Sequence, residues 1–242
     1  MLGRFQEVSV STPDIQASLE FYESLGFVQS AVGDARDHPY AVVTDGRLHL
    51  GLHQQPFAAP RLTWLHPGLA EHRAELESAG LRIEFAALDE ESFHEIGLLD
   101  PTGLPISLIE ARTYSPADVT ASFISQLGYF EEIGLPTMDL EHCARFWETL
   151  GLVAFEPERA PFLKVSIGAR DINLGLYKLS LKQPVFTFSV DDVGALEEKL
   201  HDAGCRFTEL PRDLSSTDCA LLEAPEGSQF LLIAERELAG AP

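Results

Sequence analysis

The sequence predicts an α+β protein of four βαβββ units arranged as two related halves. Three observations carry that prediction: a long internal repeat, the alternation of strand-period and helix-period segments within each copy, and a glycine after each helical stripe. The repeat is the strongest. Phe5 to Phe27, FQEVSVSTPDIQASLEFYESLGF, returns as Phe130 to Leu152, FEEIGLPTMDLEHCARFWETLGL, at an offset of 125 residues. Phe5/Phe130, Glu7/Glu132, Asp14/Asp139, Phe21/Phe146, Glu23/Glu148, Leu25/Leu150 and Gly26/Gly151 coincide. Self-similarity at a fixed period is the mark of a duplicated supersecondary unit.

In the first unit Val8 and Val10 alternate with Glu7, Ser9 and Ser11, which is the period of a strand with one apolar and one polar face. Thr12-Pro13-Asp14 starts a helix whose stripe is Ile15, Leu19, Tyr22 and Leu25, and Gly26 ends it. Phe27 to Ala31, Tyr40 to Thr44 and Leu48 to Leu52 are short apolar runs separated by Gly33-Asp34 and Asp45-Gly46, turn signals between antiparallel strands. Beyond the break Pro56 to Pro60 a second copy is expected. It has a strand at Arg61 to Leu65, a helix through Leu69, Arg73, Leu76 and Ala79 ended by Gly80, and strands at Leu81 to Ala86, Phe93 to Leu99 and Leu104 to Ile109. Thr113 to Leu127 matches neither copy and reads as a linker, dividing the chain into residues 1–112 and 128–242. A third unit then runs from Leu127 to Ser180 and a fourth from Gln183 to Glu235, with Gly80/Gly204, Pro101/Pro225, Gly103/Gly227 and Ile109/Ile233 at an offset of 124.

Composition narrows the function classes. With 38 acidic against 17 basic residues the net charge is -21, which repels phosphate backbones and anionic lipid and favours small cations. No apolar run reaches membrane-spanning length, and Met1 to Val10 does not read as a secretory signal. Cys143, Cys205 and Cys219 are odd in number and lack CxxC spacing, so they read as reduced thiols of a cytoplasmic protein. The expected partner is a small-molecule ligand, with nucleic acid and membrane excluded and the chain a monomer or homodimer. No GxGxxG, P-loop, HExxH or GxSxG pattern occurs.

Pro13 to Phe27, Leu50-Gly51-Leu52, Asp100 to Glu110, Asp139 to Leu152, Leu174-Gly175-Leu176 and Pro225 to Glu235, in that order, give the chain its resemblance. It resembles the vicinal oxygen chelate superfamily, which includes glyoxalase I, extradiol dioxygenases and bleomycin resistance proteins. The resemblance implies two tandem glyoxalase-like domains whose curved mixed sheets enclose cavities. It also implies where metal-binding members keep their ligands: a His on the first strand, a His starting the second unit, and a carboxylate on the last strand of a unit. Here the first half holds Glu7, Arg61 and Ser107 at these positions, with Gly51 on the last strand of its first unit. The second half holds Glu132, Val185, Leu231 and Gly175.

A guanidinium has no lone pair for a metal, so no metal or other cofactor is expected. Glu7 and Arg61 are expected to pair across the first cavity. The implied role is that of a bleomycin-resistance-like protein binding an aromatic or cationic small molecule. Its expected contacts are Glu7, Ser9, His49, His53, Arg61 and Ser107 in the first half, and Glu132, Asn173, Tyr177 and Thr187 in the second. Glu7 and Glu132 are the candidate catalytic groups. Glu132, expected opposite Val185, reads as a general base of raised pKa, an anchor for a cation, or a strand-end carboxylate in water.

The alternative is a divalent-metal lyase, isomerase or extradiol-type dioxygenase using Glu7 with His49 or His53. Strand alternation puts both histidines on the face of Gly51, but four residues of strand span about 13 Å, awkward for two ligands of one ion. The neighbours His142 and Cys143 do not face each other on a helix, and Phe21-Tyr22 and Phe146-Trp147 sit on stripes that cover the sheet.

Overall fold

The computed structural model describes residues 1–31, 37–89, 93–110, 125–168 and 170–238. The Gly33-Asp34 turn and residues 113–124 of the expected linker lie outside the described residues. The first unit comprises β1 (Arg4–Ser11), α1 (Ile15–Ser24), β2 (Val28–Ser30), β3 (Tyr40–Thr44) and β4 (His49–His53). The second comprises β5 (Arg61–Leu65), α2 (Leu69–Ser78), β6 (Ile83–Ala87), β7 (Glu95–Leu99) and β8 (Pro105–Ile109). The third has β9 (Tyr129–Pro136), α3 (Leu140–Thr149), β10 (Val153–Ala154), β11 (Lys164–Gly168) and β12 (Asn173–Tyr177). The fourth has β13 (Val185–Val190), α4 (Val193–Asp202), β14 (Arg206–Thr208), β15 (Cys219–Glu223) and β16 (Gln229–Ala234), and a short α5 (Glu235–Leu238) that the periodicity does not signal follows it.

Local chemistry accounts for the helix ends. Asp14, Asp139 and Asp192 cap α1, α3 and α4, each carboxylate accepting from backbone N–H groups two or three residues on. Gly26 and Gly151 follow α1 and α3 at φ of 90° and 95°, a conformation that disfavours any side chain. Strand β7 begins at Glu95 rather than the expected Phe93, because the intervening His94 turns to the Glu110 carboxylate and the Asp89 carbonyl.

The strands form two eight-stranded mixed sheets, in the orders β2-β3-β4-β1-β5-β8-β7-β6 and β10-β11-β12-β9-β13-β16-β15-β14. Each sheet therefore joins the first and second units, or the third and fourth, through an antiparallel seam of β1 on β5 or β9 on β13. The β1–β4 and β5–β8 pairs flanking the first seam are parallel, and the second sheet repeats this.

Alternation gives each sheet one apolar face. Val8, Val10, Leu50, Leu52, Leu62 and Trp64 of the first sheet join Ile133, Leu174, Phe186 and Phe188 of the second in one core shared by both halves. The helices cross between halves: Tyr22 of α1 lies edge-on to Phe230 at 6.1 Å, and Trp147 of α3 meets Trp64 at 6.2 Å. Tyr22 and Trp147 are fully buried, so the aromatic pairs are packing groups. The Tyr22 hydroxyl donates to Glu226 Oε1 at 2.5 Å, and Ser18 donates to Oε2 at 3.2 Å. Among the described residues no helix is long and apolar enough to cross a membrane.

Tyr22→Phe keeps the ring contacts and deletes the hydroxyl's bonds to Glu226 and Ser228. It is expected to lower stability by about 1.5–3 kcal/mol, the usual range for a hydrogen bond to a charged group, in a denaturant titration. An unchanged midpoint would show that these bonds do not help hold the halves together.

Candidate functional site

The second face of each sheet holds the functional candidates, and a β-bulge places the central one. Phe5 pairs with Trp64 and Glu7 with Thr63, so Gln6 is an extra residue on β1. The second seam repeats this, with Phe130 opposite Phe188 and Glu132 opposite Thr187, leaving Glu131 extra on β9. Glu7 is fully buried and Glu132 is 5 % exposed, so neither is a strand-end carboxylate in water. Space for the carboxyl groups comes from glycine. A Cβ on Gly51 would stand 2.3–2.5 Å from the Glu7 carboxyl atoms, and one on Gly175 would stand 2.6 Å from Glu132 Oε1.

The register corrects the expected Glu7–Arg61 pair. Arg61 lies opposite Ser9, two residues along from Glu7, and its guanidinium donates to Glu95 Oε1 at 3.3 Å. In the antiparallel seam Thr63, with Ser107 beyond it on β8, is the residue level with Glu7. The same correction applies to the second half, where Thr187 and not Val185 stands opposite Glu132.

Glu7 has different partners. His53 Nε2 lies 3.0 Å from Oε1, Ser9 donates to Oε1 at 2.8 Å, and the Tyr40 hydroxyl donates to Oε2. Burial alone would raise the carboxyl pKa, but the hydrogen bond and charge of His53 and the bonds from Tyr40 and Ser9 outweigh it, leaving Glu7 below its ordinary value. The chain of contacts continues outward: His53 Nδ1 is 2.9 Å from His38 Nε2, and His38 Nδ1 is 3.0 Å from Asp37 Oδ1. An ionised carboxylate only accepts, so the imidazole nitrogen facing each end of this chain is the donor. The buried Glu7 carboxylate is thereby linked through both rings to the exposed Asp37.

Beside this relay is a cavity of about 320 Å³, whose lining includes Ser9, His53, Arg61, Thr63, Glu95 and Ser107. Phe57 and Phe85 also line it, and Arg61 lies over the Phe57 ring at 4.5 Å. His49 does not line this cavity; burial first, against the charge of Asp45, lowers its pKa at the other end of β4.

The second half meets the same problem with other residues. Positions 124 residues apart exchange Tyr40 for Lys164, His53 for Tyr177 and Ser107 for Leu231. Lys164 Nζ donates to Glu132 Oε1 at 2.9 Å, Tyr177 donates to the same oxygen at 2.9 Å, and Ser166 donates to Oε2 at 3.2 Å. Burial, then the Glu132 charge, raises the Tyr177 pKa well above its ordinary value. The Tyr177 ring also fills the space beside Gly134, where a Cβ would be 2.2 Å from it. Val185, Leu231, Cys219, Leu221 and Phe162 complete a second apolar cluster over this face. A cavity of about 330 Å³ persists at its edge, lined by Glu132, Lys164, Asn173 and Thr187. The cation that Glu132 anchors is thus the chain's own ammonium.

The donors do not fit a metal ion. Both Glu7 oxygens and both His53 nitrogens are engaged within the protein, and His49 lies apart from them. Among the described residues no group of three or more His, Cys, Asp or Glu side chains is placed to hold one. The cysteines are structural as well. Cys143 is buried with Thr137 at 3.2 Å, and burial pushes the Cys219 thiol up to about 12.

Of the sequence candidates, Glu7, Ser9 and His53 meet at one point and Glu132, Tyr177 and Thr187 at another. Arg61 and Ser107 gather around Glu95. His38, Tyr40, Thr63, Glu95, Lys164 and Ser166 were missed. The repeat offset held a signal for Tyr40 and Lys164, which stand at equivalent starts of β3 and β11.

The fold is that of solved extradiol dioxygenases. A catechol 2,3-dioxygenase matches over 96% of this chain and 93% of its own, at 16% identity and a TM-score of 0.58. A variant of homoprotocatechuate 2,3-dioxygenase from Brevibacterium fuscum matches over 96% and 71%, at 15% identity and a TM-score of 0.62. BphC, a halotolerant catechol dioxygenase, matches over 97% and 87%, at 15% identity and 0.56. No family model and no curated protein matches the chain.

Glu7→Gln removes the buried charge that His53, Tyr40 and Ser9 hold and is expected to cost about 3–5 kcal/mol near neutral pH, as for a buried pair broken on one side. Because the folded pKa of Glu7 is lowered, its contribution is present above the ordinary value of 4.5 and is lost as pH falls through the folded value. The stability gap between wild type and Glu7→Gln should therefore narrow on acidification below 4.5. A gap that does not change with pH would mean Glu7 is protonated throughout. In the second half, Lys164→Met strands Glu132 and is expected to cost about 3–5 kcal/mol in thermal or chemical denaturation.

Proposed function

We propose that the first half binds a small, flat, polar molecule in the cavity between the Glu7 relay and the Arg61–Glu95–Ser107 group, using protein side chains rather than a metal ion. One observation carries this reading: the two halves share a chassis, yet the first keeps this face polar and the second covers it with Leu231, Val185 and Tyr177. Polar side chains kept on a face that folding alone would fill are expected at a binding site. The volume of about 320 Å³ lies at the lower end of the range for small-molecule sites, about 300–1,000 Å³.

The chemistry of the lining selects the ligand. Phe57 and Phe85 provide apolar walls for a ring. Among the described residues the Arg61 guanidinium makes one hydrogen bond, leaving N–H groups for a carbonyl, carboxylate or phenolic oxygen. Thr63 and Ser9 add hydroxyls beside the His38/His53 pair. The structural neighbours named for catechols support the choice of a ring-bearing ligand at the level of the fold alone. In this reading residues 1–112 form the working domain, 128–242 a supporting one, and 113–127 the connection.

The test is a thermal-shift and calorimetric screen of small aromatic acids and phenols on the full chain. A hit should bind at least about tenfold more weakly to Arg61→Ala and to Ser107→Leu, which copies the residue of the second half, and unchanged to Asn173→Ala. Binding that survives both first-half substitutions, or follows Asn173, would overturn the proposal. Metal analysis is a separate check: the dialysed protein should retain hit affinity without stoichiometric metal. Retained iron, manganese, nickel or zinc at one per chain would sink the metal-free reading.

A further inference from the structure

The chain has four lysines, Lys164, Lys178, Lys182 and Lys199, all in the second half. Lys178, Lys182 and Lys199 are exposed, as expected of a strongly hydrated ammonium. Lys164 differs: its side chain is 12 % exposed, and it lines the cavity of about 330 Å³ at the edge of the second sheet. The equivalent position of the first half is Tyr40, which meets Glu7 through a hydroxyl. An amine beside the cavity is therefore peculiar to the second half.

The surroundings of this amine are those of a nucleophile rather than of a sealed ion pair. Nζ donates to Glu132 Oε1 at 2.9 Å, and the Glu158 carboxylate lies 3.8 Å away on the solvent side. An ammonium carries three N–H groups, so this pairing does not use them all. Phe155, Ile167 and Leu238 give the cavity an apolar wall, and Ser166 and Thr187 line it with hydroxyls. A lysine withdrawn from water with a proton acceptor in contact is the arrangement that makes an amine reactive toward carbonyl carbon. Glu132 is itself held in place, because Tyr177 donates to Oε1 at 2.9 Å and Ser166 to Oε2 at 3.2 Å.

We propose that Lys164 forms a Schiff base with a small, neutral aldehyde or ketone that enters this cavity. Glu132 takes one proton from the ammonium, and the lone pair so freed adds to the carbonyl carbon as the carbonyl π bond breaks. A proton passes from nitrogen to oxygen, giving a carbinolamine. Glu132 then returns its proton to the hydroxyl, the C–O bond breaks, and water leaves. Ammonium and carbonyl thus become iminium and water, with no change of charge and no oxidant or reductant. The iminium remains a counter-ion for the buried Glu132 carboxylate. Glu131, Glu132 and Glu158 disfavour an anionic carbonyl compound, and the apolar wall accepts a short hydrocarbon chain. The site is distinct from the first-half cavity and does not depend on the function proposed for it.

Butanal is the probe, incubated with the full chain and cyanoborohydride, which reduces an iminium to a stable secondary amine. Peptide mass mapping over time gives the rate at each lysine. Lys164 should be alkylated at least about tenfold faster than Lys178, Lys182 and Lys199, and should lose that preference in denaturant. Glu132→Gln should slow Lys164 about tenfold or more and leave the other three lysines unchanged. Glu132→Asp keeps the charge but withdraws the oxygen from Nζ; it serves if Glu132→Gln fails to fold and should also slow Lys164. Alkylation of Lys164 no faster than that of the exposed lysines would overturn the proposal, as would a rate that the folded Glu132 variant leaves unchanged.

Discussion

A carboxylate buried in the middle of each sheet sets the terms for everything around it. Removed from water, it stays ionised only if a cation and several hydrogen-bond donors meet it. The surrounding architecture supplies these needs: a glycine on the neighbouring parallel strand makes room, a bulge in the central seam fixes the strand's twist, and side chains from three strands converge on the two oxygens.

Duplication has given this problem two solutions. In the first half two imidazoles connect buried Glu7 to the exposed Asp37 carboxylate. In the second the partner is the Lys164 ammonium, and Tyr177 with an apolar cluster fills the space alongside. One face thus stays polar beside an open cavity, and the other is largely filled, while the crossed helices α1 and α3 tie the two halves into one core.

Much of the fold was legible in the sequence. Strand and helix periods are local properties, written by which side of an element meets the core, and the repeat multiplied each weak signal by its copies. That is why Val8 and Val10 against Glu7 and Ser9 gave the correct faces, and why Gly26 and Gly151 gave the correct helix ends. The pairing of units into sheets was not legible, because no local pattern says which edge strand β1 meets.

The sequence by itself determined the duplicated βαβββ plan and put the two glutamates on the strand faces opposite the apolar ones. Only the tertiary structure decided their partners. Cross-strand register is set by the seam as a whole, and the single extra residue at Gln6 or Glu131 moves the facing residue from Arg61 to Thr63 and from Val185 to Thr187. Long side chains then reach across strands by packing and charge rather than by sequence distance. Tyr40 and Lys164 therefore came to hold carboxylates more than 30 residues away.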